Sequence, residues 1–145
     1  MSGIIAEPFT IPLVLSTRLV AELGDRHSKL RAITQRSDSA VVVRAGGEID
    51  ACNELTWRRL VNEAAAAAPA SGFFVIDLAG LDFMSCSAFQ VLGAAAEFCR
   101  RRGVELRLVS AQPLVARIVK ACGLAGVLPV HPSIDSALGA ESDVA

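Results

Sequence analysis

Three small residues that could carry chemistry, Ser85, Cys86 and Ser87, stand between an apolar run and a helical pattern. The apolar run is Phe73–Ile76, and from Ala88 onwards apolar residues recur at three- and four-residue steps. A helix N-terminus presents free backbone N–H groups and a partial positive charge, which favour an anionic group such as a thiolate or a phosphate. The pattern therefore predicts a strand, a tight loop and a helix, with a modifiable side chain at the start of the helix.

The remaining cysteines and the histidines form no pattern that suggests a second reactive centre. The four cysteines contain no C-x-x-C pair, and neither histidine has metal-ligand spacing, so we expect no metal and no cofactor. Cys86 is the candidate reactive thiol because of its position at the predicted helix start. Cys99 falls on the inner stripe of that helix and is predicted to be an inert core residue, and Cys52 is predicted to be a packing or surface residue of a loop.

Composition limits the classes of partner. The chain has 145 residues with 14 basic and 15 acidic side chains, so no basic excess is available to bind nucleic acid. Hydrophobic residues make up 52%, which favours a single compact α/β domain. The apolar stretch Phe9–Val20 is interrupted by Pro12 and Arg18 and is too short to span a membrane. No signal peptide is evident, so we expect a cytoplasmic protein with reduced thiols and no membrane partner.

The first 28 residues allow two interpretations. Apolar positions between Phe9 and Leu15 fit a strand, whereas Leu15, Leu19 and Leu23 fit one face of a helix that ends at Gly24. The segment is either an extra element packed on the domain or on a second copy of it, or a regulatory or membrane-surface segment. Its charge is sparse for the second role. An apolar extension of this kind would also allow a homodimer.

The rest of the chain alternates strands and helices in the order β-β-α-β-α-β-α-β-α. This order predicts an antiparallel opening hairpin followed by parallel strands, in a mixed, mostly parallel sheet of four to five strands with four helices packed against it. The domain would span residues 29–140, after an extension at 1–28 and before a tail at 141–145 that we expect to fray. Asp50 or Asn53 is predicted to cap the first helix, and Ser133 the last, which runs through Leu138. The predicted strands are Leu30–Gln35, Ala40–Ala45, Phe73–Ile76, Val104–Val109 and Val127–Val130.

Three separated motifs resemble one family. Gly47–Asp50, GEID, resembles the G-E-[LI]-D signature that follows the second strand of STAS domains, the sulphate-transporter and anti-sigma-factor-antagonist module. The run IDLAGLDFMSCSAF resembles the family signature D-L-[SA]-G-[VL]-x-[FY]-[IM]-D-S-S-G-[LF]. Leu106–Val109 with Pro113 and the later Cys-Gly-Leu at 122–124 resembles a third conserved stretch. The resemblance covers roughly Leu30 to Leu138 and implies a STAS-like fold.

The resemblance implies a partner switch. Stand-alone STAS domains of this size are mostly anti-anti-sigma factors, which bind an anti-sigma factor of the serine kinase type and so free a sigma factor. The kinase phosphorylates the first Ser of D-S-S-G, which breaks the complex. In this chain Ser85 stands for the Asp, Cys86 for the phosphorylated Ser, and Ala88 for the Gly, while Ser87 matches the second Ser. Phosphorylation is therefore absent, moved to Ser85 or Ser87, or replaced by thiol redox control.

The resemblance also implies the surrounding surface. Besides the loop Ser85–Ser87, the residues expected to contact the partner are Gly47, Glu48, Asp50, Met84, Ala88 and Phe89. Glu48 and Asp50 have the alternative role of forming a turn and a helix cap. In the sheet order of the family, Cys122 ends the neighbouring helix, which makes a redox pair of Cys86 and Cys122 conceivable if their Cα atoms lie within ~7 Å.

Two other functions compete with this one. The chain could be a STAS subunit of another assembly, either stressosome-like or lipid-transporting, and act as a scaffold. It could also be a Cys-dependent enzyme, but a nucleophilic Cys86 needs a positioned base, and His131 has no spacing that relates it to Cys86. We therefore expect a binding protein and not an enzyme.

Overall fold

The computed structural model describes residues 11–144, and within them one mixed sheet holds six strands in sequence order. The strands β1, β2 and β3 are antiparallel neighbours, and β3 to β6 are parallel neighbours. The predicted opening hairpin and the parallel remainder are therefore confirmed. The strands are β1 (Ile11–Pro12), β2 (Leu30–Arg36), β3 (Ala40–Ile49), β4 (Phe73–Met84), β5 (Glu105–Val109) and β6 (Val130–His131).

The helices cover the two faces of the sheet unequally. Side chains of β3 alternate between the faces: Val41 and Val43 join the main core, and Val42 joins a smaller cluster on the other side. The first four helices contribute to the main core, and the last helix to the smaller cluster. None of the helices in residues 11–144 combines the length and the apolar content needed to cross a bilayer. The helices are α1 (Thr17–Leu23), α2 (Glu54–Ala67), α3 (Cys86–Arg101), α4 (Pro113–Ala121) and α5 (Ile134–Val144).

The strand β4 is longer than the sequence predicts. Instead of ending at Ile76, it continues to Met84, so the tight loop predicted between this strand and the helix is wrong. Its pairing with β3 shifts register twice, between Asp77 and Phe83, and each shift is an irregularity of the bulge type. Gly80 permits this close approach, because a Cβ there would lie 2.9 Å from the Ala45 carbonyl oxygen. The bulges let one continuous strand carry the chain directly to the start of α3.

The N-terminal segment forms both of the elements that its sequence allowed. A short strand, β1, pairs with β2, and α1 follows with Ser16 as its N-cap. Leu19 is fully buried in the main core. Glu22 accepts hydrogen bonds from Arg59 Nη1 at 2.7 Å and from Thr56 Oγ1 at 2.9 Å, which ties α1 to α2. Phe9, included in the strand prediction, lies outside the described residues.

Several element ends differ from prediction for local reasons. Neither Asp50 nor Asn53 caps α2 through its side chain, because Asn53 Oδ1 accepts from the Asp50 N–H at 2.9 Å. The strand predicted at Val127–Val130 begins only at Val130, as β6 (Val130–His131). It starts later because residues 124–128 form a turn, in which the Leu128 N–H donates to the Leu124 carbonyl at 2.9 Å. Ser133 does cap α5, accepting from the Ser136 N–H, and that helix extends past Leu138 to Val144.

Candidate functional site

The candidate site lies where β3 and β4 end side by side. Ile49 and Met84 are the last paired residues of these parallel strands, and the Ser85 N–H donates to the Ile49 carbonyl at 3.0 Å. This bond joins the segment before α2 to the segment before α3. The structure therefore places the Gly47–Asp50 segment next to Ser85–Ser87, at the carboxyl edge of the parallel strands. These three residues, called the candidate loop below, are the N-cap and the first two residues of α3.

Ser85 is the N-cap of α3. Its backbone is extended (φ −69°, ψ 159°), and its Oγ accepts from the Ala88 N–H at 3.3 Å. The same Oγ lies 3.3 Å from Ser87 Oγ. Asp and Ser are both favoured N-caps, so Ser85 can do the structural work of the Asp in the resembled motif.

Ser87 links the starts of two helices. Its exposed Oγ donates to Glu54 Oε1, and Glu54 is the first residue of α2. The other carboxylate oxygen, Glu54 Oε2, lies 3.4 Å from Arg58 Nη2. Sequence reasoning missed Glu54, although an acidic residue in the first turn of a helix, next to the candidate loop, was the available signal.

The cysteines fall into two environments. Cys86 and Cys52 are exposed, and Cys86 is the first residue of α3. Cys99 is buried, and desolvation by burial raises the pKa of its thiol from 9.0 to about 11. Cys99 therefore stays protonated near neutral pH, as expected of an inert core residue.

The structure does not join Cys86 to Cys122. Both thiols are free, and Cys122 is half-buried at the C-cap of α4. Leu124, two residues later, packs against Gly93, where a Cβ would lie 2.8 Å from Leu124 Cδ2. Gly93 is about 10 Å further along α3 than Cys86 at 1.5 Å per residue. The redox pair of Cys86 and Cys122 stays a prediction.

Gly47 makes the neighbouring segment possible. Its φ is +91°, and a Cβ there would lie 1.9 Å from the Lys29 carbonyl oxygen. That carbonyl accepts from the Glu48 N–H at 3.0 Å. The close approach fixes Lys29 against the segment that carries Glu48 and Asp50.

Lys29 also organises the carboxylates of this segment. Its Nζ lies 3.1 Å from Asp50 Oδ2 and 3.9 Å from Glu48 Oε1. The hydrogen bond from Lys29 is the main reason that the pKa of Asp50 is lowered. Asp50 Oδ1 also accepts from the Cys52 N–H at 2.9 Å, so Asp50 shapes the turn as well as lying at the surface.

Two residues predicted to contact a partner are core residues. Ala88 and Phe89 are only 0% and 2% exposed. Ala88 therefore supports the loop from inside, whereas Phe89 belongs both to the core and to the lining of a groove beside the loop. The indole N–H of Trp57 donates to the Ala88 carbonyl at 3.1 Å in the buried interior. This burial arises because the apolar stripe of α3 begins within its first turn, and a partner contact at Phe89 stays a prediction.

The comparisons with known proteins agree on a family. The family model for the STAS domain matches residues 31–137 of this chain. Rv2638 of Mycobacterium tuberculosis, whose name describes it as an anti-anti-sigma factor, is 55% identical over 139 residues, covering 96% of this chain and 94% of that protein. Anti-sigma-F factor antagonist RsfA of Mycobacterium tuberculosis is 58% identical over 111 residues, covering 77% of this chain and 87% of RsfA.

Solved structures show the same fold. The crystal structure of an anti-sigma factor antagonist from Mycobacterium paratuberculosis has a TM-score of 0.67 and 25% identity, covering 77% of this chain and 92% of that one. The anti-sigma factor antagonist SpoIIAA in its unphosphorylated form has a TM-score of 0.56 and 20% identity, covering 75% and 93%. With the motifs, the sheet order and these matches in agreement, the chain belongs to the STAS domain family.

Proposed function

We propose that this protein is an anti-sigma factor antagonist, which binds an anti-sigma factor and thereby releases a sigma factor. The observation that carries the proposal is the 55% identity, over nearly the whole length of both chains, with a protein named as an anti-anti-sigma factor. The relative named as an anti-sigma-F factor antagonist supports it at 58% identity.

The geometry of the loop supports a binding role. Three contacts hold the first turn of α3: the Ser85 cap, the Ser87–Glu54 bond and the Trp57–Ala88 bond. A surface that is ordered before binding loses less conformational entropy when a partner docks. The partner therefore meets a preformed loop at the carboxyl edge of the parallel strands, the usual place for function in open α/β sheets.

We assign a relocated phosphate, if the partner is a kinase, to Ser87. Ser85 is half-buried and its Oγ caps α3, whereas the Ser87 hydroxyl is exposed. A phosphoryl group on Ser87 adds a charge of about −1.5 to −2 beside the Glu54 carboxylate and replaces an attractive bond with repulsion. Cys86 is the second exposed group of the loop, and oxidation of its thiol would alter the same surface. Either change acts on docking without unfolding the domain.

A binding experiment with the full-length chain tests the function. The purified chain is titrated with a panel of kinase-type anti-sigma factors, each alone and each in complex with its sigma factor. We expect binding to at least one of them and release of the sigma factor from the complex. Absence of binding to every anti-sigma factor, together with no sigma release, would contradict the proposal.

The same samples test the switch. Intact-mass measurement after addition of ATP reports a phosphate adduct, and mild peroxide followed by peptide mapping reports oxidation at Cys86. A Ser87→Ala variant should lose the phosphate adduct while Ser85→Ala keeps it. An adduct that persists in Ser87→Ala would move the assignment away from Ser87.

The positions of the two histidines bear on the alternative of a Cys-dependent enzyme. His131 lies in β6, two strands from β4, and its Nδ1 is 3.5 Å from Ser136 Oγ. His27 lies between α1 and β2, in the groove that contains Asp50 and Cys52. A nucleophilic thiol requires a base in hydrogen-bonding reach, and within residues 11–144 no hydrogen bond joins an imidazole to Cys86.

A further inference from the structure

We propose that the anti-sigma factor inserts an apolar side chain, flanked by a cationic one, into a groove between the end of β4 and the start of α4. This inference rests on the proposed function and names the part of the surface that would supply the binding energy. It adds α4, which carried none of the partner contacts expected from the family motifs.

The groove begins beside the candidate loop. Met84, which immediately precedes Ser85, and Phe89, in the first turn of α3, both line it. Its volume is about 210 Å³, enough for a large apolar side chain. The opposite wall comes from α4. Its main apolar lining residues are Leu81, Phe83, Met84, Phe89, Leu114 and Ile118.

The rim of the groove exposes two large apolar side chains. Phe83 on β4 and Leu114 on α4 are each 53% exposed, on opposite sides of the groove. Apolar surface concentrated at a concavity marks a site of interaction more strongly than isolated apolar residues do. Interfaces gain most of their affinity from a few such anchors in desolvated pockets.

The charge around the groove specifies the chemistry of the occupant. Among the residues that line the groove, Asp82 carries a charge. Within residues 11–144, its carboxylate has no ionic or hydrogen-bonding partner. Glu48 is paired in register with Phe83 and its side chain is 47% exposed. Its neighbouring cation, Lys29, lies closer to Asp50 than to Glu48. The Asp82 carboxylate thus borders an apolar groove, and Glu48 lies on the adjacent strand, next to Phe83. This arrangement complements a Lys or Arg next to an apolar anchor.

A second groove flanks the loop on its other side, between α2 and α3, but it is less suited to an anchor. Most of its lining residues are polar, and three of them already form bonds: Glu54 bonds both Ser87 and Arg58. Insertion there would have to break these bonds. The apolar groove has no such cost, so we assign the anchor to it.

Two leucines provide a matched test. Leu114 is the second residue of α4 and Leu55 the second residue of α2, both helices start at the same edge of the sheet, and the side chains are 53% and 58% exposed. The full-length wild-type chain, Leu114→Ser and Leu55→Ser are titrated calorimetrically with the anti-sigma factor that the wild type binds. We expect Leu114→Ser to weaken binding by about tenfold or more, and Leu55→Ser to stay within roughly twofold of the wild type.

Charge reversal tests the cationic part of the occupant. Asp82→Lys should also weaken binding, and the difference from the wild type should shrink as salt concentration rises. Circular dichroism melts check that each variant is folded, and Phe83→Ser replaces Leu114→Ser if the latter is not.

The outcomes separate this inference from the proposed function. If the wild type binds no anti-sigma factor, both fail. If the wild type binds and both Leu114→Ser and Phe83→Ser bind equally well, the groove assignment alone fails. If Leu55→Ser lost as much affinity for the anti-sigma factor as Leu114→Ser, the partner would lie on the α2 side and the groove assignment would be overturned. The groove assignment would also fail if sedimentation showed a dimer of the isolated chain that Leu114→Ser dissociates, while the affinity for the anti-sigma factor stayed unchanged.

Discussion

Replacing Gly47 with alanine should destabilise the fold more than replacing any ordinary surface glycine. The Gly47 backbone has a φ of +91°, which costs an L-residue about 1–2 kcal/mol. The new Cβ would also lie 1.9 Å from the Lys29 carbonyl oxygen, a backbone atom that cannot rotate away. The Lys29 carbonyl must then retreat from the Glu48 N–H, which loses a hydrogen bond worth about 1 kcal/mol. Together these terms predict a loss of about 2–3 kcal/mol in the free energy of unfolding.

Two other glycines separate the backbone cost of a positive φ from the cost of the contact with the Lys29 carbonyl. Gly123 has a φ of +75°, and a Cβ added there would meet nothing within 4 Å, so Gly123→Ala isolates the backbone cost of about 1–2 kcal/mol. At Gly46, a Cβ would lie 3.4 Å from Arg31 Nη2, the flexible end of a side chain, so Gly46→Ala should be nearly neutral. The expected order of destabilisation is therefore Gly46, then Gly123, then Gly47.

Urea denaturation followed by tryptophan fluorescence measures this order. Trp57 is the single tryptophan and is fully buried, so its emission reports the core. Equal values of the denaturant slope m in all four proteins would show that midpoint shifts reflect stability. If Gly47→Ala proves no less stable than Gly123→Ala, the argument from the Lys29 contact is refuted.

Three further predictions concern the site. Ser85→Ala should cost about 1 kcal/mol in urea denaturation because the cap of α3 is lost, whereas Ser85→Asp should keep it; equal losses would argue against capping. Lys29→Met should raise the pKa of Asp50 in an NMR titration, because the hydrogen bond from Lys29 lowers it. The stability that this bond adds is present above the ordinary carboxyl pKa and is lost as pH falls through the lowered pKa. If Lys29→Met leaves the free energy of unfolding with the same dependence on acidic pH, this prediction is contradicted. Iodoacetamide at pH 8 should label Cys86 and leave Cys99 unlabelled by mass spectrometry, since burial raises the pKa of Cys99 to about 11; rapid labelling of both would refute its burial.

Local pattern was sufficient to predict the order of most elements. The β-branched run of β3 corresponds to a stretch that is buried on both faces of the sheet, and the apolar stripe of α3 corresponds to burial that recurs along the helix. The family motifs then placed the Gly47–Asp50 and Ser85–Ser87 segments on neighbouring elements, and the structure has them side by side.

What the sequence did not show depends on contacts between distant residues. Ala79 and Gly80 are typical of a turn, but pairing with β3 keeps β4 extended through them. Asn53 is a good capping residue, yet its side chain is used by the Asp50 N–H. Glu54 and Leu114 have ordinary positions in their own helices, and only the tertiary fold brings one to Ser87 and the other to the groove.

The docking of α1 has a consequence for how the protein is divided into fragments. The family match begins at residue 31, but Leu19 fills part of the same hydrophobic interior and Glu22 is bonded to α2. A fragment limited to residues 31–137 would lack Leu19 and leave a gap in the core beside α2, the helix whose first residue bonds Ser87. Affinities measured on such a fragment would describe a weakened scaffold, so the portion outside the recognised module has to be retained when the switch is reconstituted.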